Sequence, residues 1–233
     1  MVLSPGKKIY FASDFHLGAP NPEESAKRER AIIRWLDEIT SDVEVLFLVG
    51  DVFDFWFEYK RAVPRGHVRL LGKLAELSDS GVEIHWFTGN HDRWIFDYLP
   101  QEIGFQLHRE PKEFKFNGKQ FFIGHGDGLG PGDKGYKFIK KVFANKLCQW
   151  LFARLHPNFG IWLADYFSRG SRASTGAYDE HYLGKEEEWL FQYCEKKISD
   201  GNSSDYFIFG HRHLPLDLKL SNDSRYVNLG EWI

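Results

Sequence analysis

The amino-acid sequence predicts a layered α/β fold in which β-sheets lie between helices, and three observations lead there. Five short apolar runs, rich in β-branched and aromatic residues, read as buried strands. Helical stripes alternate with these runs through the first third of the chain. Each run is followed by a polar signature, and open α/β sheets gather their ligands at the carboxyl ends of strands.

In chain order, Lys8-Ile9-Tyr10-Phe11 predicts the first strand, and Ile32, Trp35, Leu36 and Ile39 repeat at helical spacing behind it. Val45-Leu46-Phe47-Leu48-Val49 predicts the second strand, and Val68, Leu71, Leu74 and Leu77 the next helical stripe. Ile84-His85-Trp86-Phe87-Thr88 and Gln120-Phe121-Phe122-Ile123 are the third and fourth runs. Asn117-Gly118, between Phe114-Lys115-Phe116 and Phe121-Phe122, predicts a tight hairpin. Trp189, Leu190, Tyr193, Cys194 and Ile198 fit a core-facing helix before the fifth run, Tyr206-Phe207-Ile208-Phe209, and a terminal hairpin around Ser221-Asn222-Asp223. There is no internal repeat and no low-complexity linker. We expect one domain over 1–233, interrupted by an insertion at 129–184.

That insertion replaces the α/β rhythm with helical, aromatic and basic sequence. Ile139, Val142, Phe143, Leu147, Trp150, Leu151 and Leu155 predict one helix from about 134 to 156. Phe159, Ile161, Trp162, Leu163, Tyr166 and Phe167 form a second apolar cluster after Pro157. Lys134, Lys137, Lys140, Lys141, Lys146, Arg154, Arg169 and Arg172 decorate the stretch. A helical hairpin packed on the core with a wet lysine face and an amphiphile-binding lid are both compatible with this pattern.

Composition narrows the classes. With 42% hydrophobic and 17% aromatic residues the chain is globular, and a net charge of −3 leaves no nucleic-acid footprint. Cys148 and Cys194 lack framework spacing and suit a reducing compartment. The first eight residues carry no apolar signal core, and no segment reaches about 18 uninterrupted apolar residues. A cytoplasmic location is expected. The chain ends at Ile233, just after a predicted strand, so a longer natural C-terminus is also an expectation. No feature specifies an oligomeric state.

The chemistry lies in five signatures: Asp14-Phe15-His16, Gly50-Asp51-Val52-Phe53-Asp54, Gly89-Asn90-His91-Asp92, Gly124-His125-Gly126-Asp127 and Gly210-His211-Arg212-His213. Carboxylate, amide and imidazole donors without cysteine suit a two-metal centre of Mn²⁺, Fe or Zn²⁺ rather than a thiolate zinc site. Period-two alternation would send Asp14 and His16 to one side of a strand end, and likewise His211 and His213, one to each metal. Asp92 and Asp127 fit caps of the turns that follow, and His67, His85, His108, His156 and His181 read as packed or solvated.

Taken together and in this order, the five signatures resemble those of the calcineurin-like metallophosphoesterases. The resemblance implies that Asp14, His16, Asp51 and His213 hold one divalent ion and Asp51, Asn90, His125 and His211 the other, with Asp51 shared. Mn²⁺ is the expected metal, with Fe, Zn²⁺ or Mg²⁺ as alternatives. His91 would meet the leaving group or the developing phosphoryl charge, and Asp54 would orient its imidazole.

A narrower resemblance is to the UDP-2,3-diacylglucosamine pyrophosphohydrolases of lipid A synthesis, whose insertion after Gly-His-Gly-Asp is a lid for acyl chains. It implies cleavage of a lipid-linked nucleotide at the cytoplasmic face of the inner membrane, met peripherally. Tyr136 would contact a substrate phosphate, joined by Asn90, Arg93, Arg169, Arg172, Ser174 and Thr175. The better-known members carry arginine where this chain has His91, with Arg93 two residues on. Another metallophosphoesterase with a different, possibly amphiphilic, substrate is the alternative; the aromatic insertion disfavours a cyclic nucleotide, nucleic acid or phosphoprotein. The complete ligand set disfavours a non-catalytic scaffold.

Overall fold

A computed structural model describes residues 1–131, 134–164, 166–168 and 181–232. The first sheet is parallel, in the order β1 (Lys8–Ala12), β2 (Val43–Val49), β3 (Glu83–Phe87) and β4 (Gln106–His108). The second is mixed: β5 (Lys112–Phe116), β6 (Lys119–Ile123), β7 (Tyr206–Phe209), β9 (Arg225–Asn228) and β8 (Leu216–Lys219). The five predicted strands and both hairpins are present. Asn117 (φ 47°) and Gly118 (φ 81°) supply the two left-handed residues that the β5–β6 turn demands.

The two sheets face each other, which explains why the runs are apolar throughout. Val45, Phe47 and Val49 of β2 meet Phe116, Ile123 and Ile208 between the sheets. Leu46 and Leu48 point the other way, under α1 (Pro22–Ile39), α2 (Val68–Asp79) and α3 (Tyr98–Ile103). The far face of the second sheet is covered by α6 (Trp189–Ser199) through Leu190, Phe191 and Cys194. On α2 the buried residues are Leu70, Leu74 and Leu77, while Val68 is 76% exposed. Leu71 packs partly buried on the same core, so the predicted stripe holds except at Val68, the first helical position, and gains Leu70.

The insertion also differs from expectation. Instead of one helix to about 156 there are α4 (Lys134–Ala144) and α5 (Lys146–Phe152). Asn145 breaks them by accepting hydrogen bonds from the backbone amides of Leu147 and Cys148 as the N-cap of α5. Residues 157–164 and 166–168 are helical. Phe152, outside the predicted stripe, docks on Phe57 and Trp94 at ring distances of 4.8 and 4.6 Å. Trp94 also donates to the carbonyl of Phe143 at 2.8 Å. Leu147, Trp150 and Leu151 of the predicted stripe are each more than half exposed.

Candidate metal centre

Parallel register brings the carboxyl ends of β1, β2 and β3 level, and β6 and β7 end beside them in the second sheet. The loops that follow are stitched together by backbone bonds. Asp14 N–H donates to Gly50 O at 3.0 Å, His16 N–H to Asp51 O at 2.9 Å, and Gly210 N–H to His125 O at 3.0 Å. Arg28 of α1, buried, donates to the carbonyls of Phe15, His16 and Ala19 and so holds the first loop from behind.

Within these loops Asp14 (φ 54°), His16 (φ 43°), Asp51 (φ 52°), His211 (φ 70°) and His213 (φ 46°) all adopt the left-handed conformation. Non-glycine residues pay strain there, and such strain concentrates at functional sites. It also corrects the geometric expectation. Asp14 and His16 lie past the end of β1, and His211 and His213 past β7, so their side chains converge through left-handed loops and not through strand alternation.

The convergence produces two clusters and a third group that shares a residue with each. Ligand atoms of Asp14, His16 and His213 lie within 4.8 Å of one another, as do those of Asp51, His125 and His211, and those of His16, Asp51 and His91. Asp51 stands between the clusters: its Oδ2 is 3.2 Å from His125 Nε2 and 3.9 Å from His16 Nε2. Asn90 Oδ1 is 3.2 Å from the same His125 nitrogen. His125 Nδ1 donates to the Val49 carbonyl at 2.8 Å, which turns Nε2 inward. The structure thus brings together all seven residues expected as ligands.

The electrostatics suit cations. Among the described residues, the ion pairs of Asp14 and Asp51 are all with imidazoles, and Asp51 Oδ2 accepts no hydrogen bond. Burial raises the Asp14 carboxyl above its ordinary value despite nearby His125. Burial works the same way on Asp51, but His125 and His91 outweigh it and hold Asp51 well below the carboxylate range. Burial opposes a charge on His125, yet Asp51 raises it to about 10. Burial and His125 lower His211 to about 3, leaving it a neutral imidazole, the form that ligates a metal. Buried carboxylates that accept the backbone amides of His211 and His91 and whose ion pairs are all with imidazoles are a donor set that divalent ions complete.

Around the clusters, His91 Nδ1 is 2.9 Å from the main-chain carbonyl of Asp54, while the Asp54 carboxylate is 3.6 Å from it. Orientation by Asp54 therefore runs first through its backbone. Arg93 is nearly buried, with Nη1 lacking a hydrogen-bond partner and 3.9 Å from Asp127. The Tyr136 hydroxyl donates to Asp127 Oδ2 at 2.7 Å, and Lys140 pairs with the same oxygen at 2.8 Å. Asp127, read from sequence as a turn cap, instead ties α4 to the centre. Asp92, also read as a cap of the turn that follows, instead accepts from the amides of Gly89 and Val52, both before it in the chain. Burial and the nearby Asp51 push its pKa up to about 7. Arg169, Arg172, Ser174 and Thr175 lie outside the described residues.

Sequence reasoning missed three residues here. Glu231 accepts from His213 Nδ1 at 3.0 Å, the kind of partner that fixes a ligating imidazole. Buried Glu58 accepts the amides of Phe96, Asp97, Tyr98 and Leu99, fixing the chain after the third signature. Ser168 reaches the His91–Asp54 pair from the insertion. None stands in a recognisable motif.

A protein of Porphyromonas gingivalis named UDP-2,3-diacylglucosamine hydrolase is 40% identical over 97% of this chain and 90% of its own length. Proteins of the same name from Aeromonas hydrophila and Pseudomonas aeruginosa are 30% and 26% identical, over 95% and 96% of this chain and 89% and 90% of theirs. Residues 7–215, which span all five signatures and the strands that carry them, match the calcineurin-like phosphoesterase family, and the chain belongs to it.

Proposed function

We propose that this metal-dependent hydrolase cleaves the pyrophosphate of UDP-2,3-diacylglucosamine, releasing UMP and 2,3-diacylglucosamine 1-phosphate. The observation that carries the reading is the adjacency of a two-cluster centre around Asp51 to an insertion with exposed aromatic side chains. The relative from Porphyromonas gingivalis supports the substrate.

In this reading Asp14, His16, Asp51 and His213 hold one divalent ion and Asp51, Asn90, His125 and His211 the other, Mn²⁺ being the expected metal. Bound there, such ions neutralise phosphoryl charge and acidify a water. The chain's own groups do the rest. His91, with Nδ1 committed to Asp54, presents Nε2 to the departing phosphate and gives it a proton. Arg93, whose Nη1 makes no hydrogen bond and stands 3.9 Å from Asp127, brings its nearly buried guanidinium to the phosphates. Tyr136, with Arg169, Arg172 and Ser174, would contact the substrate from the insertion.

Among the described residues no helix is long and apolar enough to cross a membrane. Phe159, Trp162, Tyr166 and Phe167 are about half or more exposed, and the insertion carries lysines, a combination that supports peripheral contact with the cytoplasmic face of the inner membrane. The test is direct. Purified protein with Mn²⁺ should release UMP from UDP-2,3-diacylglucosamine, and Asp51→Ala should not. Turnover of soluble phosphodiesters with none of this substrate would overturn the reading.

A further inference from the structure

The Asp54 carboxylate faces His91 without touching it. Its Oδ1 is 3.6 Å from Nδ1, beyond hydrogen-bond range. Ser168 spans that gap: its Oγ is 3.2 Å from His91 Nδ1 and 3.1 Å from Asp54 Oδ2. The direction of the chain follows from chemistry. A backbone carbonyl only accepts, so Nδ1, 2.9 Å from Asp54 O, carries the proton. Ser168 must then accept from Nδ1, and its own hydrogen must go to the carboxylate, which likewise only accepts.

We propose that Ser168 is a positioning residue of the phosphoryl-transfer site, supplied by the insertion to relay the charge of Asp54 to His91. The inference rests on the role given to His91 under the proposed function. It adds a link between substrate recognition and turnover. Ser168 directly follows Phe167 and stands two residues after Tyr166, each 65% exposed. It reaches Asp54 and His91 across 114 and 77 residues of sequence. The segment that presents apolar side chains therefore also completes the seat of the proton donor, so its docked position is registered at the reacting bond.

The experiment uses full-length Mn²⁺-loaded protein and soluble phosphodiesters whose leaving groups range from p-nitrophenol to a simple alcohol. A poor leaving group needs the proton, and a good one does not. His91→Ala should lose rate increasingly as the leaving group worsens. Ser168→Ala should follow the same trend more weakly, with kcat down roughly 5- to 50-fold on the poorest leaving group and KM within about twofold. Ser168→Thr should recover most of the loss and Ser168→Val should not, since this pair differs by one hydroxyl at nearly constant volume. Ser168→Ala added to His91→Ala should cost nothing further. If His91→Ala shows the leaving-group trend while the serine variants lose rate uniformly, or additively with His91→Ala, the relay is wrong and His91 keeps its role. If His91→Ala shows no trend, the role of His91 falls and the relay falls with it.

Discussion

The Nε2 atoms of His16 and His213 approach to 3.1 Å although 197 residues separate them. Neither ring arrived there by chance: both residues are left-handed, and Glu231 holds the opposite face of His213. Two imidazole nitrogens aimed at one point, with Asp14 Oδ1 within 3.8 and 3.6 Å of them, describe one half of the centre. His213→Ala should therefore reduce the metal content measured by elemental analysis from two ions per chain to one, sparing the cluster around Asp51 and His125. A variant that keeps both ions would remove His213 from the ligand set.

Gly89 tests how closely the centre is packed. A β-carbon there would overlap the Asp51 carboxylate and stand 2.6 Å from the Asp51 backbone nitrogen, so the constraint is contact. Gly89→Ala should displace Asp51 and lower turnover by about 100-fold or more, the scale of misplacing a reacting group by an ångström. Gly72→Ala is the matched control, because nothing lies within 4 Å of its β-carbon. In mid-helix it should gain roughly 0.5–1 kcal/mol of stability and leave turnover unchanged. Equal activity in the two variants would show that Asp51 tolerates displacement.

What the sequence made legible was local. Strands such as Val43–Val49 could be read because both faces are buried, and the candidate ligands because their donor types recur beside glycine at strand ends. The cause of their convergence could not be read, since positive φ at His16 or His213 is imposed by loops bonded across both sheets. Glu231 and Ser168 escaped for the same reason. Each contacts a histidine 18 or 77 residues away along the chain and carries no local pattern of its own. The break at Asn145 was legible in principle, because its capping role is short-range.

His85 and His108 make acid stability a readout of the core. His85 Nδ1 and His108 Nε2 are 3.0 Å apart, and burial lowers both imidazoles to about 4, with His85 and Lys112 adding to the effect on His108. An unfolded histidine titrates near 6.5, so between about 6.5 and 4 the unfolded chain binds more protons than the folded one. Stability contributed by the neutral pair is full above that window and is lost as pH falls through it. The loss between pH 7 and 4.5 should be roughly 2–4 kcal/mol, the half-exposed His108 contributing the smaller part. Urea unfolding of metal-stripped protein should show this drop, and His85→Phe/His108→Phe should flatten it. Parallel pH curves for the two proteins would place the titration elsewhere.

The insertion divides into residues that hold it and residues that it presents, and their substitutions should part accordingly. Phe143 packs on Trp94 at 5.1 Å and its carbonyl receives the Trp94 indole, so Phe143→Ser should lower the melting temperature and injure all substrates together. Trp150, under Arg154, and Trp162, stacked on Phe159 and Tyr166, are still 53% and 59% exposed and can be covered further only by something laid against them. Covering an aromatic side chain of this kind with acyl chains is worth roughly 1.5 kcal/mol or more, about tenfold in kcat/KM. Trp150→Ser/Trp162→Ser should accordingly lose about 10- to 100-fold on UDP-2,3-diacylglucosamine. It should keep its melting temperature and its rate on bis(p-nitrophenyl) phosphate, which has no acyl chains to lay against the exposed aromatics. Selective loss on the lipid assigns the exposed aromatics to substrate recognition; equal loss on both substrates, with unchanged melting, would remove them from the acyl site and leave the substrate to be read elsewhere.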